Sequence, residues 1–135
     1  MTCVQPSPSL DGEPIVRLES AQLRVDVAPG IGGRIVSLVD KASGHEFLWR
    51  NRNLNLARLA AGSEYDPNFF GGIDELLPND VPETLDGVAC PDHGELWTLP
   101  LEFRGYGLEL RRGGMLSRSE IGYERRMRLR PEHTV

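Results

Sequence analysis

The sequence has few cysteines, no excess of basic charge and no long apolar run. Its two cysteines, Cys3 and Cys90, allow at most one disulfide, and Cys3 lies in a Pro/Ser-rich tail, so we expect reduced thiols and a cytoplasmic protein. The formal net charge of −5 disfavours nucleic acid or an anionic membrane as a partner, because both attract basic surfaces. No segment has the pattern of a secretory signal or the length of a membrane span.

Motifs for phosphate and dinucleotide binding are also missing. The glycine-rich "PGIGG" segment leads into Arg34 and an apolar, strand-like run, whereas a phosphate-binding loop leads into a helix. The sequence contains no nucleophile elbow either. We therefore predict no cofactor.

Alternating apolar and polar residues predict an all-β protein, a β-sandwich with long loops. Residues 1–14 are rich in Pro and Ser and predict a flexible leader, followed by one domain over residues 15–135. Residues 55–62 are compatible with one or two helical turns. The predicted core residues are Leu23, Val25, Val27, Val36, Leu38, Phe47, Leu99, Leu101, Tyr123, Met127 and Leu129.

The last predicted strand places Arg125 on the same face as Tyr123 and Met127. An unpaired guanidinium in an apolar layer is very costly, so Arg125 must have a partner. We favour a pair with a core carboxylate, and the alternative is that this face lines a polar ligand cleft.

The segment "CPDHGELW", residues 90–97, concentrates reactive side chains and permits three chemical interpretations. Cys90, Asp92, His93 and Glu95 are possible metal ligands, but no second cluster completes a site, and we predict no metal. Cys90 and His93 are possible members of a nucleophilic dyad, but no third group is evident. Carboxylates and an imidazole beside Trp97 are also typical of sugar sites, where an aromatic ring stacks on the pyranose; for Trp97 alone, a core position is favoured.

Four segments in this order and spacing resemble the aldose 1-epimerase (galactose mutarotase-like) family. They are "VAPGIGGRIVSLVDKASGHEFLW", "FGGIDELLPND", "CPDHGELW" and "YERRMRL", and the resemblance covers about residues 15–130. It implies the N-terminal half of the family's large β-supersandwich, an aldose as ligand, and His93 as one of two catalytic histidines. The second histidine and the catalytic glutamate are expected from a C-terminal half.

The expected sugar site lies within residues 63–97, where Gly, carboxylates and His accumulate outside regular alternation. His93 is the expected catalytic residue; the expected substrate-binding residues are Gly71, Gly72, Glu75, Asp92, Glu95, Trp97 and Arg125. Two alternatives remain open, a non-catalytic sugar-binding module and an inactive fragment that forms a homodimer through exposed sheet edges.

Overall fold

The computed structural model describes residues 3–106, 109–116 and 118–130. Its strands are β1 Cys3–Leu10, β2 Glu13–Glu19, β3 Leu23–Ala28, β4 Arg34–Asp40, β5 His45–Glu46, β6 Glu83–Leu85, β7 Val88–Cys90, β8 Glu102–Tyr106, β9 Glu109–Met115 and β10 Gly122–Arg128. The helical segments of this part are two single 3₁₀ turns, Asp66–Asn68 and Leu96–Thr98. The predicted all-β class is confirmed. No helix among these residues is long and apolar enough to cross a bilayer.

The largest sheet is an antiparallel meander in the order β1-β2-β3-β4-β5. Its register follows the alternation in the sequence, since Leu18 lies opposite Val25 and Val16 lies opposite Val27. These four side chains form one buried cluster on a single face of the sheet. Hydrophobic burial on that face therefore fixes the pairing, because a slip by one residue would turn the apolar set to solvent.

Strand β1 corrects the prediction of a flexible leader over residues 1–14. Residues 3–10 pair with β2, and Pro6 lies opposite Val16 in that register. Proline lacks a backbone N–H and is tolerated at the edge of a sheet, where one side of the strand needs no ladder bonds. The segment rich in proline and serine is thus an edge strand rather than a flexible leader.

A second antiparallel sheet, in the order β10-β9-β8, packs against the first. Met127 of β10 and Leu129 contact the buried cluster of β2 and β3. Strands β6 and β7 form a separate two-stranded hairpin. The two larger sheets end at β1, β5, β8 and β10, and the association of copies through such edges stays a prediction.

The other face of the large sheet is covered by the loop that follows β5. Leu56 and Phe70 of this loop are buried against Ile15, Ala28 and Val36. Residues 55–62 form no helix, so that interpretation is wrong. Leu54 and Leu56, two positions apart, both contact the same apolar cluster, which suits an extended chain better than a helix.

Most of the predicted core is buried or half-buried. Val25, Val27, Val36 and Leu101 are buried, and Leu23, Leu38, Leu99, Tyr123, Met127 and Leu129 are partly buried. Phe47 is the exception at 56 % exposure. Strand β5 ends at Glu46, whose carboxylate accepts hydrogen bonds from the N–H groups of Leu38 and Leu48, and this local turn leaves Phe47 outside the sheet.

Leu101→Ala is expected to lower the free energy of unfolding by about 2–5 kcal/mol, because it removes a side chain that is 5 % exposed from a cluster with Leu96 and Leu116. Urea unfolding followed by circular dichroism measures the loss. Leu85→Ala, at a position 38 % exposed in β6, is the matched control and should change stability far less. Equal stability of the Leu101→Ala and Leu85→Ala variants would contradict this core placement.

Candidate functional site

The CPDHGELW segment is a tight turn held by the loop before it. His93 and Gly94 both have positive φ, +58° and +72°, a region where histidine is enriched among non-glycine residues. The N–H of His93 donates to the carbonyl of Asp80 at 2.8 Å, and the N–H of Glu95 donates to the carbonyl of Leu77 at 2.7 Å. Backbone bonds to a neighbouring segment therefore place the imidazole.

The imidazole of His93 is fixed on two sides and is 21 % exposed. Its ring stacks on the ring of Tyr65 with centroids 3.9 Å apart and an interplanar angle of 9°. Its Nδ1 lies 2.9 Å from Oδ1 of Asp92, whose Oδ2 accepts a bond from the N–H of Tyr65 at 3.3 Å. Its Nε2 lies 3.8 Å from Oδ1 of Asp80, a side chain that is 76 % exposed. The nitrogen opposite Asp92 therefore faces the more open carboxylate.

A buried ion pair anchors Tyr65. Its hydroxyl donates to Oδ2 of Asp74 at 2.9 Å. Arg34, 2 % exposed, donates from Nε and Nη2 to the two oxygens of Asp74 at 2.6 and 2.5 Å. Burial, followed by the charge of Asp74, raises the pKa of Tyr65 well above its ordinary value, so the phenol stays protonated and keeps donating.

A row of aromatic rings extends from this network to the surface. Phe69 lies 5.5 Å from Tyr65 and stacks on Trp49 at 5.9 Å with an interplanar angle of 19°. Trp49 is 63 % exposed, so its ring is available to a ligand. Trp97 meets Tyr65 edge-on at 5.1 Å and is only 2 % exposed.

Gly71 and Gly72 allow close backbone approach, but the partner is the chain itself. Both have positive φ, and a Cβ at Gly71 or at Gly72 would collide with the carbonyl oxygen of Trp49 or of Ile35, respectively. Short antiparallel bridges join this segment to β4 and to Arg50. These glycines therefore dock the site loop onto the large sheet.

Glu75 and Arg125 form an ion pair at 2.9 Å between the site loop and β10. Glu75 also accepts a hydrogen bond from the hydroxyl of Tyr123, and Arg125 donates to the carbonyl of Gly33. The favoured interpretation of Arg125 was a pair with a core carboxylate: the pair is present, but the side chain of Glu75 is 40 % exposed and does not lie in the core. The pair joins the site loop to β10 and lies apart from the contacts of His93.

Glu95 is 3 % exposed, and its carboxylate accepts from the N–H groups of Arg118 and Ser119 at 2.9 and 3.2 Å. Trp97 is buried as well. Glu95 and Trp97 were expected to face a ligand, whereas the side chains of both are directed into the protein. Cys90 is buried as well, and its Sγ contacts the carbonyl of Val88 at 3.7 Å rather than His93.

The structure thus brings together His93 and Asp92 from the expected set and adds Tyr65, Asp80 and Asp74, which the sequence analysis did not select. Tyr65 lies in an aromatic and acidic run, "EYDPNFF", but such a run does not by itself predict a ring stacked on a histidine. Among the residues that the structure describes, no group of three His, Cys, Asp or Glu side chains is placed to hold a metal ion.

Comparison with known proteins gives one family. A family model described as a domain of unknown function (DUF5107) matches residues 8–79, more than half of the chain. The matched range includes the end of β1, all of β2 to β5, Arg34, Tyr65 and Asp74, and it ends before the CPDHGELW segment. No curated protein matches the sequence.

Glu75→Gln is expected to make the stability of the fold less dependent on pH in the acid range. Burial raises the pKa of Glu75, but the hydrogen bonds from Tyr123 and Arg125 and the charge of Arg125 together outweigh it, so the pKa lies below its ordinary 4.5. A lowered pKa gives stability that is complete above the ordinary value and is lost as the pH falls through the folded-state value. The difference in Tm between wild type and Glu75→Gln should therefore be largest near neutral pH and shrink below about pH 4.5.

The matched control is Glu124→Gln on β10, where the carboxylate is 54 % exposed and pairs with Arg126. Its Tm difference from wild type should be small at every pH, as for most exposed pairs. A Glu75→Gln difference that does not change between pH 7 and pH 3 would contradict the assignment.

Proposed function

The chain belongs to the DUF5107 family, and we propose that it binds an aldose at the surface formed by His93, Asp92 and Asp80, as an aldose 1-epimerase-like protein. The observation that carries the proposal is the fixed imidazole of His93, stacked on Tyr65 and bonded to Asp92, with Nε2 directed toward the exposed carboxylate of Asp80. We also propose that the two packed sheets are part of a galactose mutarotase-like supersandwich.

The contacts of His93 suit proton exchange with a sugar. When Nδ1–H donates to the carboxylate of Asp92, Nε2 is the nitrogen that gains or loses a proton. In the opening of an aldose ring, a proton leaves the hydroxyl at C1 and another reaches the ring oxygen, while the bond between C1 and that oxygen breaks. In an epimerase-like reaction at this site, Nε2 of His93 would give its proton to the ring oxygen and take it back on closure, while a separate base would take the proton from the C1 hydroxyl.

The carboxylates beside His93 suit sugar hydroxyl groups. Asp80 and Asp92 are 76 % and 36 % exposed, and ionised carboxylates accept hydrogen bonds from hydroxyl donors. The exposed ring of Trp49, two rings along the row from Tyr65, offers an apolar face for stacking. This combination of acceptors and an aromatic face supports a polyhydroxylated ligand.

Ring opening also needs an acid and a base on opposite sides of the sugar ring. Within the described residues, the carboxylates in contact with the His93 imidazole belong to Asp92 and Asp80. Oδ1 of Asp80 lies only 3.8 Å from Nε2. Groups this close act on one side of a ligand. We therefore expect the 135-residue chain to bind an aldose and not to accelerate mutarotation, an outcome that also fits a non-catalytic sugar-binding module.

His93→Ala is expected to weaken galactose or glucose binding by about tenfold, because it removes a polar contact that is charged when protonated. Tryptophan fluorescence follows the titration, since Trp49 lies in the aromatic row. Alanine at φ +58° adds backbone strain of about 1–2 kcal/mol, so His93→Asn serves as a second variant that tolerates this conformation. The control, His45→Ala, removes an exposed histidine that contacts Phe47.

Unchanged affinity in both His93 variants, or equal loss in His45→Ala, would refute the sugar site. Polarimetry of freshly dissolved α-galactose separates the two candidate functions. Binding without acceleration supports the binding role for this chain, whereas acceleration abolished in His93→Asn shows that the second proton-transfer group lies within these 135 residues.

A further inference from the structure

Two Asp-Gly pairs occur in the sequence, and each forms the two-residue loop of a β-hairpin. Asp11–Gly12 joins β1 to β2, and Asp86–Gly87 joins β6 to β7. The backbone conformations also match, because φ is +51° at Asp11 and +48° at Asp86 and is positive at both glycines. Asp-Gly is a preferred sequence in such loops, where both central residues need positive φ. The two pairs are therefore alike in sequence and in turn geometry.

Asp-Gly is also the dipeptide in which aspartate converts most readily to isoaspartate, since glycine has no Cβ to hinder the reaction at its nitrogen. The glycine nitrogen attacks Cγ of the aspartate carboxyl, a C–N bond forms, and one water molecule leaves, which gives a five-membered succinimide. Water then adds to either carbonyl of this ring. One opening restores aspartate, and the other gives isoaspartate, in which the main chain passes through Cγ and is one carbon longer. The sum is an isomerisation that needs no oxidant, reductant or co-reactant besides water.

The carboxylate of Asp11 is held away from this reaction. Its Oδ2 accepts a hydrogen bond from the N–H of Leu56 at 2.8 Å and another from Nη2 of Arg50 at 3.2 Å. The side chain is only 22 % exposed. To form the ring, the carboxyl must turn toward the nitrogen of Gly12 and lose both bonds, and bonds to a charged group are among the stronger hydrogen bonds in proteins.

The side chain of Asp86 has no such restraint. It is exposed, and no hydrogen bond or ion pair joins its carboxylate to another of the described residues. Strands β6 and β7 have three residues each and pair only with each other, and all three residues of β6 are exposed. A two-stranded hairpin of this kind is marginally stable by itself, so the local opening that brings Cγ to the glycine nitrogen costs little.

The base of this hairpin is clamped. Asn79, 6 % exposed, donates from Nδ2 to the carbonyl of Val81 at 2.8 Å and to the carbonyl of Pro91 at 2.6 Å, on the two sides of the hairpin. An additional backbone carbon at position 86 lengthens the loop and disturbs the pairing of β6 with β7. The clamp separates this change from the turn that carries His93.

We propose that Asp86 is a site of spontaneous conversion to isoaspartate in the folded protein, and that Asp11, in a matched turn, is protected by its two hydrogen bonds. The proposal uses none of the contacts assigned to sugar binding, so it stands or falls independently of that function.

Peptide mapping of aged protein tests the proposal. Folded protein is kept at physiological temperature and mildly acidic pH, and cleavage after glutamate releases residues 1–13 and 84–95, each with one Asp-Gly pair. Liquid chromatography with electron-transfer mass spectrometry then separates and assigns isoaspartate. We expect it to form at Asp86 about 10- to 100-fold faster than at Asp11, because the hydrogen bonds of Asp11 must break first.

The matched control is the same chain unfolded in guanidinium chloride. Both pairs follow a leucine, so they should convert at similar rates once the structure is lost. Asp86→Glu, whose longer side chain disfavours the ring, should form no corresponding product at position 86. Equal rates at the two pairs in the folded protein, or no isoaspartate at Asp86 after the unfolded chain has converted, would overturn the proposal.

The extent of the change is measured on the converted protein by nuclear magnetic resonance of the ¹⁵N-labelled chain. Amide signals of β6 and β7 should move, whereas those of His93 and Gly94 should stay in place. Movement of the His93 signal would contradict the clamp at Asn79.

Discussion

The ion pair between Arg34 and Asp74 organises the candidate site. It joins the first residue of β4 to the long loop after β5, across forty positions of sequence, and both side chains are almost fully buried. Moving two charges out of water is expensive, so such a pair adds little net stability, yet loss of one partner leaves a buried charge and is strongly destabilising. Asp74 recovers part of this cost through a third bond, from the hydroxyl of Tyr65. The orientation of Tyr65, and through it the stacking of His93, depends on this buried pair.

The same principle recurs through the loop that carries the site. Glu75 bonds to Arg125 of β10, and Glu95 bonds to the backbone of residues 118 and 119. These two carboxylates connect an irregular loop to the second sheet, because irregular backbone offers few ladder hydrogen bonds of its own. Three of the nine acidic residues between 63 and 97, namely Asp74, Glu75 and Glu95, therefore have a structural role. Asp80 and Asp92 differ, since their side chains retain substantial exposure beside His93.

The sequence predicts the regular part of the fold well, because alternation reports which face of a strand is buried. It places β3, β4 and β10 correctly, and the apolar surroundings of Arg125 predict its ion pair. It does not predict β1, since proline and serine are typical both of edge strands and of flexible tails. Nor does it predict that residues 96–98 form a 3₁₀ turn rather than a strand, because Leu96 and Trp97 are both buried and leave no alternation to distinguish the two.

The site is harder to predict than the fold for a different reason. His93 and Asp92 are neighbours in sequence, so their contact is local. Tyr65 and Asp80 contact His93 only because the loop folds back on itself. Arg34 and Asp74 are forty positions apart in the sequence, so no periodic pattern of residues predicts that they pair. Arg34 follows a glycine-rich turn and resembles a surface residue in the sequence, whereas it is 2 % exposed in the fold.

Three features of the structure fix the orientation of His93. A positive φ, a stacked ring at 3.9 Å and a bond from Nδ1 to Asp92 each restrict the same side chain. Non-glycine residues in the left-handed region are strained, and such strain persists only where the surroundings enforce it. Glycine would occupy this turn without strain, as Gly94 does in the next position. These restraints hold Nε2 in one direction, which is what the proposed contact with a sugar requires.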